Sequence, residues 1–238
     1  MTIQDREREG MRQIEKNTVN PREQMKENGH VFFEMPDNQG IRVMFLGNSI
    51  TLHAPAPEIG WNRFCGMAAS ARERDYVHLM MAEIKKLHPD AAFCICQGAE
   101  WECQYKSGER VYDIYEGARE FGADVIIVRL IENCPENEVD LEIFQKQLGE
   151  YLCFLSGDKE SKILLSTSFW HHALDEGIRR FAEKCGYPLV ELGDLGEDRT
   201  MKAIGLFAHA GVENHPGDLG MKVIAERLFK GLQDNRYV

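Results

Sequence analysis

The sequence predicts an α/β protein, a three-layer α/β/α domain on a doubly wound parallel sheet of about five strands. Two observations carry that prediction. Five short apolar runs, "RVMFLG", "AAFCICQ", "DVIIVRL", "KILLSTS" and "PLVEL", recur along the chain. Between them lie segments with apolar residues at three- and four-residue spacing, which mark amphipathic helices. Near-continuous apolar strands are buried on both faces and therefore parallel. Right-handed crossovers then cover the sheet with helices on both sides.

The elements follow in order. Residues 1–40 form a polar N-terminal extension, and residues 41–238 the domain. A helix from Thr2 to Lys16 is expected to pack on the domain or on a second subunit, and "HVFFEM" allows a short edge strand before the turn-like "PDNQG". The first strand, "RVMFLG", leads to a helix over "DYVHLMMAEIKKLH" and then to "AAFCICQ". Helices over "VYDIYEGAREFG", "LEIFQKQLGEYLCFL" and "ALDEGIRRFAEKCG" separate the remaining strands, and "GDLGMKVIAERLFKGL" closes the chain.

The 238 residues are 43% hydrophobic and 28% charged, enough to bury a core in one soluble domain. A formal net charge of -11 argues against a nucleic-acid partner, which needs a basic face. The charged N-terminus has no apolar core for a signal peptide, and no run approaches the roughly 20 apolar residues of a membrane span. Seven cysteines, several in apolar segments (Cys94, Cys96, Cys134, Cys153), point to reduced thiols and a cytoplasmic location. Cys94, Cys96 and Cys103 lack a second cluster at zinc spacing, so no metal is expected.

In a doubly wound sheet, ligands bind outside the carboxyl ends of the strands. The first strand ends in Gly47-Asn48-Ser49-Ile50-Thr51, which is either a helix N-cap or a nucleophile held out by a tight turn. There is no phosphate-loop lysine and no G-x-G-x-x-G, which disfavours a nucleotide binder. The second strand ends at Gln97-Gly98, where the glycine serves a turn or allows close approach of backbone to a ligand. Asn133 follows the third strand as a turn residue or as an amide donor to an oxyanion. His215, on a loop before the last helix, is an ordinary loop histidine or a base for the serine, with the pKa of about 6–7.5 that a base near neutrality has.

Together these residues resemble the SGNH (GDSL-type) hydrolase superfamily over about residues 40 to 232, in the right chain order. "GWNRFCGMAASARERDYVH" and "HPGDLGM" look like its bacterial subgroup related to carbohydrate esterases. The resemblance implies a flavodoxin-like sheet, Ser49 as nucleophile and His215 as general base. It also implies an oxyanion hole from the Ser49 and Gly98 N–H groups and the Asn133 amide. Three positions depart from the pattern. Asn48 replaces an aspartate, Ile131-Glu132-Asn133-Cys134 keeps only the asparagine, and Val212 stands where the acid is expected. Glu213 is the nearest carboxylate and the expected orienting acid; the alternative is a backbone carbonyl and a Ser-His dyad.

Asn48, Trp170 and His171 are expected to line the substrate site. Adjacent residues do not share a helix face, so His171-His172 is not a metal pair, and Trp61, Trp101 and Tyr105 are either packing or a platform for a sugar ring. The implied activity is cofactor-free hydrolysis of a small acyl ester, such as deacetylation of a carbohydrate or related metabolite. The alternative is a binding protein that keeps the fold and pocket. The partners expected are the small-molecule ester and, for the N-terminal extension, a second subunit, without nucleic acid or membrane.

Overall fold

The computed structural model describes residues 29–107, 111–137 and 139–238; the helix expected over Thr2 to Lys16 lies outside them. Six strands form one mixed sheet: β1 (Val31–Glu34), β2 (Arg42–Gly47), β3 (Ala92–Gln97), β4 (Val125–Arg129), β5 (Lys162–Ser166) and β6 (Leu189–Val190). Their order is β1-β3-β2-β4-β5-β6. The last five are parallel in the flavodoxin-like arrangement. The edge strand that "HVFFEM" allows is present as β1, antiparallel to β3 with Phe32 opposite Ile95. It closes one edge of a sheet otherwise made of the five expected strands.

Seven helices among the described residues cover the sheet: α1 (Tyr76–Leu87), α2 (Ala99–Gln104), α3 (Glu116–Phe121), α4 (Leu141–Ser156), α5 (Asp175–Cys185), α6 (Ala210–Glu213) and α7 (Asp218–Asp234). Strand side chains alternate between two cores, as the two-residue period of a strand requires. Val43, Phe45, Phe93, Ile95 and Ile127 pack beneath α1 and α7. Met44, Leu46, Cys96, Ile126 and Leu165 pack beneath α3, α4 and α5. Asp75 starts α1 by accepting the His78 N–H (2.8 Å), and Asp140 starts α4 in the same way. The short helices α2 and α6 have no amphipathic period to betray them in the sequence. Cys153, expected in an apolar setting, lies on the exposed face of α4. No helix among the described residues is long and apolar enough to cross a membrane.

Two long segments without parallel strands, 48–75 and 191–217, meet over the carboxyl ends of the central strands. Trp61 packs on Phe207, and Ser70 donates through its N–H (2.8 Å) and hydroxyl (2.6 Å) to Asp218. The switch point lies between β3 and β4, on either side of β2, and Gly47 ends β2 directly opposite Arg129.

Gly47 has no room for a side chain. A Cβ there would meet Thr51 Oγ1 at 1.8 Å and the Arg129 carbonyl oxygen at 2.9 Å. The Thr51 hydroxyl is itself fixed by Tyr76 Oη at 2.7 Å. Gly47→Ala is therefore expected to lower stability by about 1–3 kcal/mol through overpacking, seen as a lower urea midpoint at unchanged m-value.

Candidate active site

The backbone after Gly47 turns at once into a tight coil. The Thr51 and Leu52 N–H groups both donate to the Asn48 carbonyl (2.8 and 2.9 Å), and the Met67 N–H donates to the Ser49 carbonyl (2.8 Å). Asn48 and Ile50 are buried on either side, while Ser49 keeps an exposed edge. No described residue accepts the Ser49 N–H.

His215 arrives from the other end of the chain and places Nε2 2.9 Å from Ser49 Oγ. Its Nδ1 lies 2.7 Å from the Gly211 carbonyl oxygen. A carbonyl can only accept, so Nδ1 carries the proton in the neutral ring. Nε2 is then a bare lone pair, and the Ser49 hydroxyl donates to it. The Trp170 ring stands edge-on to His215 at 5.1 Å, one wall of the site. Burial lowers the His215 pKa to about 3, opposed by the Gly211 carbonyl and reinforced by the positive charge of Arg129 and by His53 and His209. The ordinary imidazole pKa expected from the sequence is not retained.

Glu213 does not reach the imidazole. Its carboxylate accepts the Gly205 N–H at 2.7 Å and ties down the loop before α6. The reason is helical: residues 210–213 form α6, and the turn continues through Asn214, whose N–H donates to the Ala210 carbonyl (3.1 Å). Four-residue spacing stacks the Gly211 carbonyl under His215, whereas a residue two positions away faces elsewhere. Of the two arrangements expected for the imidazole N–H, the backbone carbonyl holds it and Glu213 does not.

Beneath Ser49 lies a buried charge cluster that the sequence did not reveal. The Arg129 guanidinium, fully buried, donates to Glu132 and to Asn48 Oδ1. Asn48 Nδ2 donates to Glu132 (2.6 Å) and Glu102 (2.9 Å). Asn133 Nδ2 donates to Glu102 (2.6 Å) from a partly exposed turn after β4. Asn48, expected to bind substrate, is thus wholly committed to the interior. Gly98, expected as an oxyanion donor, spends its N–H on the Gly47 carbonyl, and a Cβ there would press on Leu130 at 2.8 Å. Close packing against the ends of β2 and β4 accounts for that glycine.

His171 turns outward, its Nε2 3.1 Å from Glu197 at the surface, and so does not line the site. His172 faces inward toward the Cys134 carbonyl (3.2 Å). Trp61, Trp101 and Tyr105 are core residues: Trp101 stacks on Tyr151 at 5.0 Å, and no sugar platform forms there. The one sequence signal for the cluster was an arginine ending an apolar strand, which cannot stay buried without carboxylates.

Known structures share this architecture. A lipase/acylhydrolase from Enterococcus faecalis is 13% identical, with a TM-score of 0.53 over 82% of this chain and 96% of that one. A lipolytic G-D-S-L family protein from Veillonella parvula is 15% identical, with a TM-score of 0.51 over 80% and 97%. The fold is that of the GDSL-type hydrolases. A two-domain esterase active on acetylated mannans is 19% identical with a TM-score of 0.54, and this chain, 84% of it matched, spans 50% of that chain's length. No protein-family model matches the sequence, and no curated protein does.

Two outcomes follow from the geometry. The His215 ring nitrogens, followed by ¹⁵N NMR, are expected to keep the neutral Nδ1–H pattern from pH 8 to pH 5; a titration centred above pH 6 would contradict the burial described. Glu213→Gln is expected to change kcat on a nitrophenyl ester less than tenfold, since it touches Gly205 and not His215.

Proposed function

We propose that the chain is a serine ester hydrolase of the SGNH type working through a Ser49–His215 dyad. One observation carries the reading: Ser49 Oγ lies 2.9 Å from an imidazole nitrogen whose tautomer is fixed by the Gly211 carbonyl. Ser49 attacks the ester carbonyl as Nε2 takes its proton. The proton then passes to the leaving alcohol, and water repeats the cycle on the acyl-serine. The imidazolium is stabilised by Gly211 on one side and the nascent oxyanion on the other. The Ser49 N–H and the second N–H of Asn133 Nδ2 form the oxyanion hole, without Gly98.

The acyl group is small, and an acetyl ester of a carbohydrate or related metabolite fits best. Trp170 forms an aromatic wall at the dyad, and the two-domain structural relative is an esterase on acetylated mannans. A non-catalytic binding protein is the competing reading, favoured by the lack of a carboxylate on His215 Nδ1. A serine-directed fluorophosphonate separates the two: the hydrolase is labelled at Ser49, and the binder is not labelled.

Ser49→Ala should abolish turnover of 4-nitrophenyl acetate while the circular dichroism spectrum is unchanged. Turnover within tenfold of wild type would sink the mechanism. Asn133→Ala should lose about 10²–10³-fold in kcat, with KM changed only a few-fold. A change confined to KM would make Asn133 a binding residue instead.

A further inference from the structure

Glu102 enters the base of the site from α2 and is fully buried. Three N–H groups converge on its carboxylate. Asn48 Nδ2 (2.9 Å) and the Ile131 N–H address Oε1, and Asn133 Nδ2 (2.6 Å) addresses Oε2. We infer that Glu102 is a positioning residue: as a pure acceptor it dictates which end of the Asn133 amide faces inward, and so holds an N–H toward the oxyanion that Ser49 would create. That role rests on the ester-hydrolase reading and deepens it.

The physical point is the near-symmetry of an amide. The oxygen and nitrogen ends of asparagine have almost the same shape, so the hydrogen-bond partner alone decides their order. Against a carboxylate only the NH₂ end fits, and its second N–H is left for substrate. Against a glutamine or a protonated carboxyl, Oδ1 can take the inner place. A flipped Asn133 then offers lone pairs where negative charge develops. Glu102 also secures the turn that carries Asn133: Ile131, whose N–H it accepts, sits at φ +96°, a conformation that a β-branched residue adopts only when held there.

Charge supports the same role. Facing Glu102 are Glu132 and Arg129 from the end of β4, with the buried Cys134 thiol beyond. Burial, then Glu132, push the Glu102 pKa up to about 7, against the Asn133 and Asn48 amides and Arg129. A pKa raised above the unfolded value means that the ionised form costs stability at pH 8, a cost that fades as pH falls through 7.

The experiment is a double-mutant cycle on the full chain with 4-nitrophenyl acetate at pH 8, with urea unfolding alongside. Glu102→Gln should lower kcat about 10- to 100-fold, leave KM within threefold, and leave the urea midpoint at pH 8 no lower. In an Asn133→Ala background the same change should cost under threefold, because its effect passes through that amide. Wild-type kcat should fall as pH drops through about 7, and this acid limb should vanish in Glu102→Gln. An unchanged kcat in Glu102→Gln, or a full additive loss in the Asn133→Ala background, overturns the inference. If Glu102→Gln does not fold, the wild-type profile decides, and a kcat flat from pH 8 to 5.5 overturns it. An inactive wild type or an active Ser49→Ala instead defeats the hydrolase reading, a separate result.

Discussion

A charged guanidinium buried at the centre of the sheet is the constraint around which this site is built. Arg129 ends β4 opposite Gly47, with no exposed surface. An unpaired charge there would be prohibitively costly, so carboxylates and amides must gather around it. Glu132 and Asn48 do so directly, and Glu102 closes the cluster behind them. The coil carrying Ser49 and the turn carrying Asn133 are thereby tied to one charge.

That arrangement explains the chemistry of the residues that end the two central strands. Asn48 can both accept from Arg129 and donate to two carboxylates, which an aspartate could not do. Glu132 accepts from Arg129 and also from the Phe169 N–H (3.0 Å), so it links β4 to the segment that presents Trp170. A set of polar groups so interdependent is stiff when complete and costly when any member is missing. The dyad above it has the opposite character. His215 is held in one tautomer by a single backbone carbonyl and pressed by burial toward neutrality.

Glu213 and Gly98 show how local geometry redirects residues that look suitable in a linear pattern. Glu213 sits two residues before a histidine, but a helical turn gives the histidine to Gly211 and the carboxylate to Gly205. Gly98 follows a strand as a ligand-contacting glycine would, yet its N–H closes onto Gly47 and its missing side chain makes room for Leu130. In both cases a backbone conformation of a few residues decided the role.

The sequence by itself determined the layered α/β architecture, because the strand and helix periods are local and are imposed by burial on two faces of a sheet. It also offered Ser49, Asn133 and His215 as candidates, but each alone reads equally well as a cap, turn or loop residue, and only their joint order along the chain resembles a known pattern. It did not show the buried cluster, because Glu102, Arg129 and Asn48 are separated by tens of residues and only the fold brings them together; an arginine ending an apolar strand is its one trace in the sequence. Only the tertiary structure decided that a carbonyl holds His215, that Asn48 faces inward and that His171 faces out. Those outcomes depend on side-chain direction, which the fold sets through helix phase and desolvation and which no linear spacing records.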